Sequence, residues 1–153
     1  MRSGIGPATF LSLSWGCSLA DFDSDGDLDL VIVNGHIYPQ VDRHPNLNLS
    51  YAQKPLLLES LGAGKFVDAA ARAGAGFAVA RSSRGLAAGD YDNDGDIDLL
   101  ITNLDAPPTL LRNDTRQGAW LTVACEVVVK WSDGSVTTIE NVPANQMLKV
   151  RKD

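Results

Sequence analysis

A stretch of alternating aspartates occurs twice in the chain and constrains its fold more than any other feature. The first copy is Asp21-Phe22-Asp23-Ser24-Asp25-Gly26-Asp27-Leu28-Asp29, and the second is Asp90-Tyr91-Asp92-Asn93-Asp94-Gly95-Asp96-Ile97-Asp98. Each copy places five carboxylates at alternate positions within nine residues. Unit charges about 5 Å apart repel each other by roughly 1 to 3 kcal/mol at effective dielectric constants between about 80 and 20. Such a segment therefore needs a counter-ion that holds its oxygens together.

A hard divalent cation is the counter-ion that suits these loops. Ca²⁺ binds about six to eight oxygen ligands in flexible geometry, and short aspartate side chains can supply them. Gly26 and Gly95 stand at the sixth position of each loop, where a sharp turn favours a residue without Cβ. We therefore expect one calcium site in each loop. Acidic surface loops that bind nothing are the alternative, and the joint recurrence of glycine and aspartates argues against it.

The residues after each loop distinguish this motif from an EF-hand. An EF-hand needs a bidentate acid at the last loop position and an exiting helix, but Ile32 and Ile101 stand at that position. Segments 28–33 and 97–102 are apolar and rich in branched residues, which is typical of buried strands. Each loop is therefore predicted to join two strands as a calcium-loaded hairpin turn, with its last aspartate inside the second strand.

The repeat extends beyond the loops and predicts the fold class. Residues 21–34 and 90–103 share nine identities in fourteen positions, at an offset of 69. A further apolar strand follows each copy, so one repeat holds about four strands, the size of a propeller blade. We expect an all-β fold with two four-stranded propeller-type blades, which form an incomplete β-propeller, and a C-terminal β-hairpin segment. Two blades cannot close a ring.

Composition restricts the classes of partner. The loops carry ten of the nineteen acids, and the rest of the chain carries 13 basic against nine acidic residues. An acidic balance of this origin points to metal, and the absence of a Lys/Arg cluster argues against nucleic acid. No stretch approaches the roughly 20 apolar residues of a membrane span, and the N-terminus shows no signal peptide. The apolar contexts of Cys17 and Cys125 favour buried free thiols, and whether the two pair stays open.

Other segments carry weaker signals. Residues 36–54 are predicted to form a long connection, and such long connections are often functional. His36 and His44 within it are either a transition-metal pair or packing residues. Pro107-Pro108 is predicted to interrupt the chain before the next strand. Asn48-Leu-Ser50 and Asn113-Asp-Thr115 match the acceptor pattern for N-glycosylation. The chain contains neither a G-x-S-x-G nor an H-E-x-x-H motif, so we expect a non-enzymatic protein.

The repeats resemble those of a known family. Residues 21–34 and 90–103, with Leu61-Gly-Ala-Gly-Lys-Phe-Val-Asp68 between them, are similar to the FG-GAP/VCBS repeats of calcium-binding β-propellers, the family of the integrin α-subunit head. Segments 127–135 and 139–146 resemble the ASPIC/UnbV domain, which follows such propellers in the cartilage acidic protein family and in many bacterial secreted proteins. The resemblance covers residues 20–150 approximately.

This resemblance implies an architecture and a function. Residues 1–118 would be the FG-GAP/VCBS repeat region and 119–153 a partial ASPIC/UnbV-like β segment. The function implied is that of an extracellular, periplasmic or cell-surface module with structural Ca²⁺, which serves in adhesion or in binding a protein or glycan ligand. The alternative is an accessory calcium-stabilised domain of a secreted hydrolase. By the family pattern, Asp27 and Asp96 give backbone carbonyls, and the side-chain ligands are Asp21, Asp23, Asp25, Asp29, Asp90, Asp92, Asp94 and Asp98.

The chain departs from this family pattern in two respects. Its two repeats are fewer than the family's propellers have, and the middle of the ASPIC/UnbV domain is missing. We therefore expect a fragment of a longer parent chain, which supplies the remaining blades.

Overall fold

The computed structural model describes residues 3–115 and 125–142, in which β-strands are the main regular secondary structure. The strands are β1 (Ser14–Ala20), β2 (Asp29–Asn34), β3 (Leu56–Ser60), β4 (Phe66–Asp68), β5 (Ser83–Gly89), β6 (Asp98–Asn103), β7 (Ala106–Leu111), β8 (Cys125–Lys130) and β9 (Val136–Val142). The helical elements are the α-helix α1 (Ile5–Thr9) and the 3₁₀ helices Pro39–Arg43, Pro45–Leu47, Ala70–Arg72 and Ala75–Ala78. The predicted all-β class is confirmed.

The strands form three antiparallel sheets. β1 to β4 make a four-stranded sheet in sequence order, β5 to β7 a three-stranded sheet, and β8 and β9 a hairpin. The first blade and the C-terminal hairpin therefore agree with the prediction, and over the described ranges no sheet closes on itself. The second sheet shows three strands, and residues 116–124, which include the predicted boundary after residue 118, lie outside the described part of the chain.

Strand β2 is covered on both of its faces. Val31 and Val33 are completely buried, and Ile32 between them is also buried. A strand that is covered on both sides needs no alternation of polar and apolar residues, which explains the continuous apolar run after the first loop. Strands β1 and β5, the first strands of the two sheets, also approach each other closely. A Cβ on Gly16 of β1 would lie 2.8 Å from the backbone nitrogen of Leu86 in β5.

The two sheets stack through opposite faces of the repeat. Their shared core consists of Phe22, Val31, Phe77 and Leu99. At the repeat offset of 69 residues, Val31 corresponds to Leu100, whereas Leu99 corresponds to Leu30. Successive residues of a strand point to opposite faces, so unlike faces meet and the contact is head-to-tail, a type that can be extended. The second sheet leaves Leu100, the counterpart of Val31, 46% exposed.

Arg84 joins the chain after β2 to the start of β5. Its guanidinium donates hydrogen bonds to the carbonyls of Gly35 at 3.2 Å and His36 at 3.0 Å. The same guanidinium lies 4.3 Å from the centre of the Trp15 ring, a cation–π distance. The Trp15 indole N–H also donates to the Gly35 carbonyl, at 2.8 Å. These contacts fix the first sheet against the second at the end opposite the aspartate loops.

Two local predictions are wrong. Pro107 and Pro108 do not interrupt the chain but lie inside β7, where the pairing with β6 shifts register between Ile101 and Asn103, and proline is tolerated at such irregularities. Cys17 is an exposed free thiol rather than a buried one, because β1 alternates between exposed and partly covered positions from Trp15 onward.

The close approach at Gly35 generates a stability prediction. A Cβ there would lie 2.6 Å from the Cα of Ser82, so Gly35→Ala should lower the free energy of unfolding by about 1–3 kcal/mol through overpacking. Gly89→Ala is the matched control, since no described residue has an atom within 4 Å of its added Cβ, and it should be neutral or slightly stabilising. Urea unfolding followed by tryptophan fluorescence measures both. Equal midpoints for the two variants would contradict the tight contact.

Candidate metal centres

The two aspartate loops have the same backbone conformation. Ser24 and Asn93, at the fourth position, both have φ of 61°, and the glycines at the sixth position have φ of 95° and 98°. Two left-handed residues fold each loop back on itself, and glycine adopts this conformation without steric cost. The flanking strands pair directly at Ala20↔Asp29 and Gly89↔Asp98. Each loop is thus a hairpin connection with its last aspartate in the exit strand, as the sequence predicts.

Hydrogen bonds inside each loop hold its first aspartate in place. The Asp21 carboxylate accepts the N–H of Asp25 at 3.1 Å and that of Gly26 at 3.0 Å, and Asp25 accepts the N–H of Asp27 at 2.8 Å. The second loop repeats this network with Asp90 accepting from Asp94 at 3.2 Å and Gly95 at 3.1 Å, and Asp94 accepting from Asp96 at 3.0 Å. The sequence pattern therefore encodes a defined loop shape as well as a charge.

The last aspartate of each loop is a buried carboxylate. Asp29, 1% exposed, accepts the N–H of Phe22 at 3.1 Å and the N–H of Ser60 at 2.8 Å. Asp98, 2% exposed, accepts from Tyr91 at 3.0 Å and Asn113 at 2.8 Å. A buried charge needs such partners, and here they tie the loop to the end of the third strand of its own sheet.

Three carboxylates converge in each loop. The oxygens of each trio lie within 4.8 Å of one another, and the trios are Asp21, Asp23, Asp29 and Asp90, Asp92, Asp98. Oδ1 of Asp23, a residue of the first trio, is buried and has no hydrogen-bond partner in the part of the chain that the structure describes. A donor set that consists only of oxygens, with an unsatisfied buried acceptor among them, fits a hard divalent cation.

Four of the ten predicted ligands lie outside these trios, namely Asp25, Asp27, Asp94 and Asp96. Asp25 and Asp94 each accept a backbone N–H within their own loops. Their roles as ligands stay predictions, as do those of the carbonyls assigned to Asp27 and Asp96.

Burial and mutual repulsion disfavour ionisation in both trios. Burial raises the pKa of Asp23, and the negative charges of Asp29 and Asp25 raise it further. Burial also raises the pKa of Asp29, against the hydrogen bonds from Ser60 and Phe22 that lower it. Desolvation and the charge of Asp94 raise the pKa of Asp92 in the second loop. A bound cation would remove this penalty at both places.

The two trios differ in their neighbours. A guanidinium nitrogen of Arg112 lies 3.9 Å from the Asp92 carboxylate and lowers its pKa in part. In the part of the chain that the structure describes, no Lys or Arg forms an ion pair with Asp21, Asp23 or Asp29. The first trio therefore carries more uncompensated negative charge than the second.

A repeated asparagine supports the strands at the far end from each loop. The Asn34 side chain accepts the Ser14 hydroxyl at 2.9 Å and donates to the Lys54 carbonyl at 2.8 Å. The Asn103 side chain does the same with the Ser83 hydroxyl and the Pro107 carbonyl, both at 2.8 Å. Asn34 and Asn103 are identical in the repeat alignment, and this identity could have revealed their shared role.

Sequence reasoning missed the partners of the buried aspartates. Ser60 and Asn113 donate to Asp29 and Asp98 through their backbones, and a backbone donor leaves no signature in residue type. Asn113 is notable in the sequence only as the first residue of a glycosylation pattern. In the structure its side-chain amide donates to the Phe22 carbonyl of the other loop at 2.7 Å.

The histidines of residues 36–54 lie away from the carboxylate trios. His36 accepts the backbone N–H of Tyr38 through Nδ1 at 3.1 Å, and His44 is exposed. Among the residues with described positions, neither belongs to a group of three or more that could hold a metal ion.

No known family profile matches the chain, and no curated protein matches it. In the described ranges, no helix is long and apolar enough to cross a membrane. The function must therefore be inferred from the loops themselves.

The raised pKa of Asp23 predicts a pH-dependent stability difference in the metal-free chain. A carboxyl whose folded pKa lies above its ordinary value of 3.8 destabilises the fold above the folded pKa, and this cost is absent below the ordinary value. Because an amide carries no charge, Asp23→Asn should therefore raise the free energy of unfolding at neutral pH by about 1 kcal/mol, the repulsion between two unit charges about 4 Å apart in water. The gain should vanish as the pH falls below 3.8.

Urea unfolding in chelator at several pH values measures this difference. Asp105→Asn is the control for the loss of one negative charge, because Asp105 is exposed and lies outside both loops. Its left-handed backbone, with φ of 54°, also tolerates asparagine. A gain from Asp23→Asn that is the same at all pH values would show that charge repulsion is not its cause.

Proposed function

We propose that the chain is a calcium-binding module of β-propeller type, in which one Ca²⁺ at each aspartate loop stabilises a blade and the blades serve binding rather than catalysis. The observation that carries this proposal is the trio of converging carboxylates, built twice on the same loop geometry. The unpartnered buried oxygen of Asp23 supports it further. The resemblance of both loops to FG-GAP/VCBS repeats agrees with this function.

Calcium suits these loops better than magnesium. Mg²⁺ requires near-octahedral geometry at about 2.0–2.1 Å and usually keeps several waters, whereas Ca²⁺ accepts more ligands in looser geometry. Each loop offers a dense set of carboxylates along a short hairpin, and the oxygens of each trio lie within 4.8 Å of one another. A cation that draws several of them inward at longer distances matches this arrangement.

A bound cation would act on the contact between the blades as well as on the loop. Phe22 stands between Asp21 and Asp23 in the sequence, and its side chain belongs to the core shared by the two sheets. Asp29 is bonded to Ser60 at the end of β3. Fixing the carboxylates of this loop therefore fixes a core side chain and a neighbouring strand, so calcium would stabilise the stacked sheets.

The partners we propose are further blades of a longer chain, together with a protein or glycan ligand outside the cell or in the periplasm. Leu100 and Leu110 are paired neighbours on adjacent strands, and both are nearly half exposed, at 46% and 49%. We take this exposed apolar pair as part of the proposed interaction surface. Because Leu100 is the counterpart of the buried Val31, another repeat would cover it by the head-to-tail contact already present.

Calcium titration tests the proposal. The chain should bind two Ca²⁺, one for each carboxylate trio, with dissociation constants between about 10⁻⁵ and 10⁻⁴ M. Asp23→Ala and Asp92→Ala should each remove one ion, since each deletes one member of a trio. Isothermal titration calorimetry gives the stoichiometry, with Mg²⁺ as the comparison ion. Binding of fewer than one Ca²⁺ per chain would refute the proposed function.

A second titration distinguishes the side chains that bind the ion from those that do not within one loop. Asp25→Ala should abolish the first site, because it removes a predicted charged ligand and the acceptor of the Asp27 N–H. Asp27→Asn keeps the backbone carbonyl and should weaken binding by less than about fivefold, since exposed charges contribute about 0–1 kcal/mol. This smaller effect should shrink further in high salt. Equal losses in the two variants would show that the assigned order of ligands is wrong.

A further inference from the structure

We propose that the two aspartate loops are energetically coupled through Asn113, so that a cation in one loop raises the affinity of the other. This inference rests on the proposed function, since it concerns the same two sites. It assigns to Asn113 the role of a positioning residue that acts on carboxylates in two different sheets.

Three hydrogen bonds connect the loops in an unbroken series. The backbone N–H of Asn113 donates to Oδ1 of Asp98 at 2.8 Å. The side-chain amide of Asn113 donates to the Phe22 carbonyl at 2.7 Å. The N–H of Phe22 then donates to Oδ2 of Asp29 at 3.1 Å. One residue therefore touches the buried aspartate of the second loop with its backbone and the first loop with its side chain.

The hydrogen bond from Asn113 to Phe22 lies next to the residue of the first loop that has an unsatisfied carboxylate oxygen. The Phe22 carbonyl belongs to the peptide bond that precedes Asp23, whose Oδ1 is buried without a hydrogen-bond partner. Phe22 itself is 8% exposed and belongs to the core shared by the two sheets. A change in the position of Asn113 would therefore shift the backbone that carries Asp23, and packing leaves Phe22 little freedom to absorb the shift.

The first sheet contains the equivalent backbone contact without the bridge. Ser60 donates its N–H to Asp29 at 2.8 Å, as Asn113 does to Asp98. Among the described residues, the Ser60 hydroxyl accepts only the nearby N–H of Gly62, at 3.2 Å, so its side chain stays within its own turn. The connection between the loops is thus a property of the Asn113 side chain and is not a general consequence of the repeat.

The coupling follows from shared ordering. A cation in the second loop would fix Asp98, and with it the backbone of Asn113 and the amide that holds the Phe22 carbonyl. The first loop would then lose less freedom when its own cation binds, which raises its affinity. Because coupling between binding sites is reciprocal, the first site must raise the affinity of the second by the same factor. We expect about fivefold, at the lower end of the usual range.

A double-mutant cycle in the full chain, with Ca²⁺ as the only ligand, tests this coupling. The backbone amides of Gly26 and Gly95 donate to Asp21 and Asp90, so their ¹⁵N-labelled NMR signals report the two sites separately. Disabling the second site with Asp92→Asn should weaken binding at the first site about fivefold. In an Asn113→Ala background, the same Asp92→Asn change should leave the first site's affinity within about twofold.

Two further variants serve as controls for the role of the Asn113 side chain. Asn113→Asp keeps the size of the side chain and the oxygen that accepts the N–H of Thr115, but its carboxylate cannot donate a hydrogen bond to Phe22. This variant should therefore also abolish the coupling, and it replaces Asn113→Ala if that variant does not fold. Ser60→Ala should retain the fivefold effect of Asp92→Asn, whatever its own effect on affinity. Direct repulsion between the two cations acts equally in every background and cancels from the cycle.

The outcomes separate this inference from the proposed function. If both sites bind Ca²⁺ but Asp92→Asn leaves the first site unchanged in the wild-type background, the coupling is refuted and the proposed function stands. If the fivefold effect persists in both Asn113 variants, the coupling does not pass through Asn113 and the inference is overturned. If neither loop binds Ca²⁺, the proposed function fails and the inference fails with it.

Discussion

The repulsion among clustered carboxylates is the constraint on which the rest of this structure depends. Asp29 and Asp98 are buried charges at the start of central strands, and each brings with it a loop of further aspartates. Backbone donors satisfy these two carboxylates, yet within the described ranges an oxygen of Asp23 stays buried and unpartnered. A protein can retain such an arrangement if a cation binds there, because the desolvated oxygens then become ligands. Under the proposed function, a bound cation would relieve the cost that these carboxylates impose on the metal-free loop.

The head-to-tail stacking of the sheets extends the influence of each loop. The first loop contributes Phe22 to the core between the sheets, and the second is linked to it through Asn113. Local order at one loop therefore reaches the neighbouring blade through packing and hydrogen bonds. The same stacking leaves Leu100 exposed where its counterpart Val31 is buried, which is the geometry of an array that can continue in the same direction.

Much of the fold could be predicted from the sequence, because residues within the repeat mark where its turns and strands begin. The alternating aspartates, the glycine at the sixth position and the apolar exit strands predict two hairpins within antiparallel sheets, and the structure has them. Tertiary context decided the rest. Proline within β7 is accommodated by a register shift that no local pattern reveals, and the exposure of Cys17 depends on what covers β1. The partners of the buried aspartates were also beyond reach, since Ser60 and Asn113 act through backbone N–H groups that every non-proline residue has.

The dependence of stability on free Ca²⁺ tests the central claim most directly. If each trio holds one ion in the folded chain and none in the unfolded chain, the free energy of unfolding should rise by about 2.7 kcal/mol for every tenfold increase in Ca²⁺ above the dissociation constants. Replacing both Asp23 and Asp92 with alanine should flatten this dependence. Urea unfolding in buffered Ca²⁺ gives the slope. A free energy of unfolding that does not change with Ca²⁺ from chelator to millimolar concentration would contradict the account.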